Sequence, residues 1–257
     1  MKKTVVINCF PESARLYRHG YAVVAIDVIR ATTTAVTVVA RGGRCFPVPS
    51  LEAARAQAGK LKNPLLAGEI HGIQPDGFDL NNSAAEITLR KDLSRPVVLL
   101  SSSGTKLIHE AADCEAVYLA CFRNYSAVAA HLAGRYARIA LLGAGSLGRF
   151  REEDQMCCAW IASRLLRVGF QPENELTAAV ARRWDGAPAV ECLISESAEY
   201  LKRTGQVQDL NFVLDHVDDL DAVIKMEGGE AILLRKERFG GEPNGLAAVD
   251  PAPSGAA

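Results

Sequence analysis

The chain reads as an α/β protein: three layers, α/β/α, on a largely parallel or mixed sheet, with a C-terminal helical segment and a hairpin. Three observations predict this. Short apolar runs alternate with helical patterns from the start to about residue 170. Several runs are apolar on both faces, as strands covered by helices on either side must be. Beyond residue 170 the alternation stops, and more polar helical patterns lead into a single hairpin motif.

The expected strands are TVVIN (4–8), YAVVAID (21–27), RCFPVP (44–49), PLLAGEI (64–70), RPVVLLSSS (95–103), AVYLACF (116–122) and RIALLGAG (138–145). Helical patterns fall between them: ATTTAVTVVARG, SLEAARAQAGKLK, GTKLIHEAA, NYSAVAAHLAGR and EEDQMCCAWIASRLLRVG. Ser50 suits an N-cap, and Gly42 and Gly169 stand where C-terminal caps belong. The first helix is rich in Thr and Val, whose branched Cβ atoms disfavour helix, so its pattern carries the weakest helix signal. ENELTAAVARRW, CLISESAEYLKRTG and VQDLNFVLDHVD read as the later helices, and AVIKMEGGEAILLRKE as a hairpin turning at Gly228–Gly229. The expected organisation is one α/β domain over 1–239, any division into lobes falling near 170, and a disordered tail over 240–257.

The 257 residues are 49% hydrophobic and 23% charged with a formal net charge of -1, so no basic field points to nucleic acid or an anionic membrane. The opening MKKTVVINCF is interrupted by Asn8 and Pro11, too early for a signal peptide, and no apolar stretch approaches the roughly 20 residues of a membrane span. Seven cysteines without a C-x-x-C pair read as reduced thiols of a cytoplasmic protein. A small polar substrate is the expectation.

In a parallel α/β sheet, ligands bind beyond the carboxyl ends of the strands. Polar residues collect there: Asp27 and Arg30, Glu69 and His71, the run Ser101-Ser102-Ser103-Gly104-Thr105-Lys106, Arg123-Asn124, and Gly143-Ala144-Gly145-Ser146. Each alone suits an ordinary turn; five together favour one polar site. SSSGTK has the small residues, hydroxyl and cation of an anion cradle, but it is not a Walker A loop. In GEIHGIQPDGFDLNNS, Glu69, Asp76 and Asp79 are hard oxygen donors of the kind magnesium prefers, although a solvated turn-rich loop has the same composition. Glu152-Glu153-Asp154 equally suits a helix N-terminus, where acids complement the dipole.

Two further motifs are weaker. Gly143 to Gly148 matches G-x-G-x-x-G, but no clear strand ending in an acid follows the next helix, as a dinucleotide fold requires. Cys9 and Arg15 have the C-x5-R spacing of cysteine phosphatases, yet Cys158 and Arg164 match it from within a helical pattern. Glu12 in the Cys9 loop would also repel phosphate.

Taken together, AIDVIRATTT, Gly68-Glu69, GFDLNNS, SSSGTK, CFRNYSAVA and GAGSLGRFREEDQMCCA resemble the 2-phosphosulfolactate phosphatase family, in the family's order and over most of the first 160 residues. The resemblance implies an α/β fold and a Mg2+-dependent phosphomonoesterase. The substrate it implies is (2R)-O-phospho-3-sulfolactate, hydrolysed to 3-sulfolactate and phosphate on the coenzyme M pathway. One departure bears on substrate identity: the family pattern T-T-N-G-T-[RK] reads Ser101 to Lys106 here, with Ser103 in place of Asn.

On this reading Asp27, Arg30 and Lys106 do the chemistry, Arg30 as a bidentate clamp on an anionic group. Asp27, Glu69, Asp79 and Asp154 are the candidate Mg2+ ligands. Thr32, Thr33, Ser103, Gly104, Thr105, Arg123, Asn124 and Gly145 would surround the substrate. The expected partners are a small phosphorylated acid and a second copy in a homodimer, with no nucleic acid and no membrane. The runner-up readings are a catalytically silent anion-binding or regulatory relative and, below it, an NAD-linked oxidoreductase.

Overall fold

The structure is a computed structural model that describes residues 2–146 and 148–234. The tail expected over 240–257 lies outside the described residues. In chain order the first half comprises β1 (Thr4–Cys9), β2 (Ala22–Ile26), α1 (Ala31–Ala40), β3 (Cys45–Val48), α2 (Leu51–Ala58), β4 (Leu65–Gly68), α3 (Ala84–Leu89), β5 (Val97–Leu100) and α4 (Gly104–Glu110). The second comprises β6 (Ala116–Ala120), α5 (Tyr125–Ala133), β7 (Arg138–Gly143), α6 (Glu152–Arg167), β8 (Gln171–Pro172), α7 (Glu175–Trp184), α8 (Glu196–Arg203), α9 (Val207–Asp215), β9 (Val223–Glu227) and β10 (Glu230–Leu234). The predicted fold class holds. The 3₁₀ turn Pro11–Tyr17 and the short α3 are additions that no periodicity announced.

The ten strands of the described residues form one mixed sheet in the order β4-β5-β3-β10-β9-β6-β2-β7-β1-β8. Two parallel sets, β4-β5-β3 and β6-β2-β7-β1-β8, flank the antiparallel β9–β10 hairpin. The central strands are apolar throughout, and every residue of β2, β5 and β6 is buried. One core lies between the second set and α5, α6 and α7; another surrounds α1 and α4 and draws side chains from both sets.

The hairpin reverses the sense of the sheet. β3–β10, β10–β9 and β9–β6 are all antiparallel, so β3 and β6 run oppositely. In a flat sheet β5 and β2 would then end at opposite edges. Strands twist by roughly 20–25° per step, which over the steps between β5 and β2 accumulates to about 100–125°. The sheet coils about α1, which packs on β3, β5, β6 and β10, and the two strand ends come together. A Cβ on Gly104, just past β5, would overlap Asp27 Oδ2, just past β2. The expectation that the polar ends meet on one edge of a parallel sheet is therefore corrected: they meet through coiling.

The helix with the weakest sequence signal is the one at the centre. Nine of the ten residues of α1 are buried, so tertiary packing overrides propensity. Its threonine hydroxyls return to backbone carbonyls: Thr34 to Arg30 O at 3.2 Å and Thr37 to Thr33 O at 2.7 Å. That pattern lets a buried helix carry hydroxyls without leaving one unpaired. No helix among the described residues is long and apolar enough to cross a membrane.

Candidate active site

A cavity of about 550 Å³ opens where the ends of β2, β4, β5 and β7 meet α6 and α8. Its floor is acidic. Asp27 ends β2, and Glu153 and Asp154 stand in the first turn of α6, with exposures of 8%, 1% and 3%. Asp154 accepts the Val28 N–H at 2.9 Å and the Gly145 N–H at 3.2 Å, tying the ends of β2 and β7 to the helix. Gly145 makes that approach with φ +60°, a conformation that favours glycine.

Burial raises the pKa of all three carboxyls, and repulsion from neighbouring acids adds to it. Desolvation, with Glu69 and Glu153 nearby, pushes Asp27 up to about 7. Desolvation, with Asp27 and Glu153 nearby, holds Asp154 well above the usual range, and desolvation also raises Glu153. Glu153 Oε2 is buried without a hydrogen-bond partner among the described residues. Such a floor is short of positive charge.

Arg30 lines the cavity from the β2–α1 turn and is 6% exposed. Its Nη1 donates to Asp209 Oδ2 at 2.8 Å and to Gln206 Oε1 at 2.6 Å, both from the α9 region. Asp209 in turn accepts the Ser83 hydroxyl at 2.7 Å and the Ala85 N–H at 3.1 Å at the start of α3. The pair is almost wholly desolvated, so the guanidinium plane is set by α9 and α3 rather than by its own turn.

Glu69 lines the cavity too, but its oxygens serve neighbouring loops. Oε1 accepts the Ser102 N–H at 2.7 Å, and Oε2 accepts the Gly72 N–H at 2.6 Å and the Ser102 hydroxyl at 2.9 Å. It joins the β4 and β5 ends and so positions Ser102 and Ser103 at the cavity wall. His71, in the same loop, lines the cavity and donates its N–H to Ser102 Oγ at 2.7 Å.

The structure thus brings together Asp27, Arg30, Glu69, Ser103, Gly145 and Asp154, with Gly104 packed directly against Asp27. Other expected site residues stand elsewhere, each for a visible reason. Lys106 points to the surface and pairs with Glu12 at 3.1 Å. Asp79 accepts the Leu66 N–H at 2.9 Å beside edge strand β4. Thr32 bonds Asp27 O and Ala120 O, Thr33 bonds Val28 O, and Thr105 bonds Ser101. Arg123 pairs with Asp219 at 2.7 Å, and Asn124 bonds Cys121, Leu119 and Ala222. These residues hold the turns rather than line the cavity.

Conversely, Arg151, Ser197, Tyr200 and Arg203 line the cavity with no role expected for them, and Glu153 joins them from the acidic triplet that reads as an ordinary helix start. Glu153 had a signal in the acidic triplet. The α8 residues had none, because a polar helix face in the sequence looks the same over a cavity as over water.

The two weaker motifs take structural roles. Cys9 is buried with its thiol pushed up to about 12, chiefly by desolvation, and Arg15 pairs with Glu110 on the surface at 2.9 Å. After β7 the Gly145 amide is directed to Asp154, Ser146 and Arg149 close a tight turn, and α6 starts only at Glu152. That is not the strand-to-helix turn that cradles a pyrophosphate.

A family model described as 2-phosphosulpholactate phosphatase matches residues 9–229. A relative from Clostridium perfringens (strain SM101 / Type A), named probable 2-phosphosulfolactate phosphatase, is 30% identical over 238 residues, 90% of this chain and 95% of its own length. One from Thermus thermophilus with the same name is 35% identical over 226 residues, 83% and 92% of the two chains. A third of that name, from Pseudothermotoga lettingae, is 38% identical over 142 residues, and there the match spans 55% of this chain and 61% of the relative. With the family match running from the end of β1 to the β9–β10 turn, the chain belongs to the 2-phosphosulpholactate phosphatase family.

Proposed function

We propose that the chain hydrolyses (2R)-O-phospho-3-sulfolactate to 3-sulfolactate and inorganic phosphate, with Mg2+ held at Asp27 and Asp154. The observation that carries this reading is the buried acidic floor facing Arg30: carboxylates that repel one another and an unpartnered oxygen on Glu153 call for a cation. Among the described residues no group of three or more His, Cys, Asp or Glu side chains is arranged to enclose a metal ion. Mg2+ does not require one, since it is commonly bound through one or two carboxylates, with water and substrate phosphate completing its shell. Bound there, it would supply charge neutralisation to the phosphoryl oxygens.

The chain's own residues do the rest. Arg30, its plane set by Asp209 and Gln206, offers its remaining N–H groups to an anionic group of the substrate. Ser102 and Ser103 border the phosphoryl position, steadied by Glu69. Water forms a bond to phosphorus as the bond from phosphorus to the sulfolactate oxygen breaks; one proton of that water ends on the departing oxygen and the other stays with the inorganic phosphate, so the hydrolysis balances with water alone. The seven cysteines carry no disulfide, which supports a reducing, cytoplasmic setting. A homodimer is part of the same reading.

Phosphate release from (2R)-O-phospho-3-sulfolactate tests the proposal. Activity is expected to vanish after exhaustive chelation and to return with added Mg2+. Full activity without metal overturns the Mg2+ assignment. No release under any metal condition overturns the phosphatase reading in favour of a silent anion-binding relative.

A further inference from the structure

Arg151 immediately precedes α6 and is 6% exposed, yet it lines the cavity. Its Nη1 donates to Glu196 of α8, a carboxylate that also accepts from Arg149. Its Nε is buried and has no hydrogen-bond partner among the described residues. Buried guanidinium N–H groups are seldom left unpaired, because each forgoes its bond to water and gains nothing in return. The edge of the guanidinium that carries Nε presents two parallel N–H groups and matches the paired oxygens of an acid group.

The surroundings distinguish this cation from Arg30. Arg30 stands beside Asp27 and is held from the α9 side; Arg151 is held from α8, on a wall that includes Ile194, Ser197 and Leu201. Glu199 and Arg203, one turn apart on α8, also line the cavity; Glu199 pairs with Lys202 at 2.6 Å and Arg203 lies over the Tyr200 ring. Of the three guanidiniums that line the cavity, Arg30 and Arg151 are therefore held by separate carboxylates, Asp209 and Glu196, while Arg203 stands on the α8 wall. Taking the phosphosulfolactate reading as its basis, we propose that Arg151 receives an acid group that the substrate carries in addition to its phosphate, so that it selects phosphorylated acids. Sulfonate and carboxylate share the required chemistry, two or more oxygens on one centre.

The test compares the parent enzyme with Arg151→Gln and Arg151→Lys in phosphate-release kinetics. The substrates are phosphosulfolactate, which has both acid groups, and 2-phospholactate, which has the carboxylate alone. For phosphosulfolactate, Arg151→Gln is expected to raise KM by about thirtyfold or more with kcat changed far less, and Lys to recover part of it. A loss shared by 2-phospholactate assigns the carboxylate to Arg151; a loss confined to phosphosulfolactate assigns the sulfonate.

Calorimetric titration supplies a readout independent of turnover. Arg151→Gln is expected to weaken 3-sulfolactate about tenfold or more and inorganic phosphate less than twofold. Equal weakening of both, or of neither, overturns the assignment. If the Gln variant does not fold, Glu196→Gln takes its place: it unlatches Nη1 from a half-exposed position, and an unchanged 3-sulfolactate affinity overturns the assignment. A parent enzyme that releases no phosphate from either substrate sinks the phosphatase reading, while the titrations still decide the role of Arg151.

Discussion

Two turns of this molecule look alike in sequence and behave differently in space. The β2–α1 turn carries an acid, a guanidinium and three threonines; the β5–α4 turn carries three serines, a glycine, a threonine and a lysine. Each sends only some of its polar groups into the cavity. In the first, Asp27 and Arg30 face inward to the site while Thr32, Thr33 and Thr34 bond backbone carbonyls. In the second, Ser102 and Ser103 line the cavity, Thr105 closes its own turn on Ser101, and Lys106 leaves for the surface. The strand-end residues face the cavity, and those a few positions into the helix hold the turn. The two also differ in charge: the first turn brings both a carboxylate and a guanidinium, whereas the second brings only hydroxyls and the space that Gly104 leaves for Asp27.

The comparison breaks most sharply at Asp27. Asp27→Asn is expected to lower kcat/KM by about a thousandfold or more, because it removes a buried charge from the reacting centre. Its melting temperature at pH 7.5 should stay level or rise, since one of several mutually repelling carboxylates is gone. A variant that keeps a tenth of the activity would move the chemistry out of the first turn.

Next in size is the support behind Arg30. Asp209→Ala leaves a guanidinium buried without its counter-ion, a change that costs about 3–5 kcal/mol in urea denaturation. Activity in the folded fraction should fall about a hundredfold as the clamp loses its orientation. If stability drops and specific activity does not, Arg30 is structural and the first turn works through Asp27 alone.

The acidic floor makes a pH-dependent prediction. Asp27, Glu153 and Asp154 have folded pKa values raised above their unfolded ones, with Asp27 moved from 3.8 to about 7. Between those values the folded state binds more protons than the unfolded state, so stability falls as pH rises through that window. In chelator, the melting temperature should be higher near pH 5 than at pH 7.5, and Mg2+ should flatten the slope by offsetting the charge. A chelated protein whose stability rises over that range contradicts this charge assignment.

The smallest effects sharpen the second turn. Lys106→Ala and Thr33→Ser should each leave kcat/KM within about twofold, because Lys106 makes an exposed ion pair and a serine hydroxyl can still reach Val28 O. A tenfold loss from Lys106→Ala would return that lysine to the site and erase the distinction between the two turns.

Much of the fold was legible because its signals are local. Uninterrupted apolar strands and the Gly228–Gly229 turn announced themselves through periodicity and turn chemistry. The hairpin's place was not legible: it reads as a C-terminal appendage and lies between β3 and β6 in the middle of the sheet. Asp209 was equally silent, an acid on an ordinary amphipathic helix whose partner lies 179 positions away.

By itself the sequence determined the order of the main strands and helices, the polar strand ends and the resemblance that names the family, because each depends on residues close together in the chain. Tertiary structure alone decided which polar residues share a cavity. Three antiparallel steps reverse the sheet, its twist brings β5 back to β2, and α8 and α9 supply the carboxylates that hold Arg151 and Arg30. Those outcomes depend on twist accumulated over the whole sheet and on ion pairs between distant segments, and neither leaves a local pattern to read.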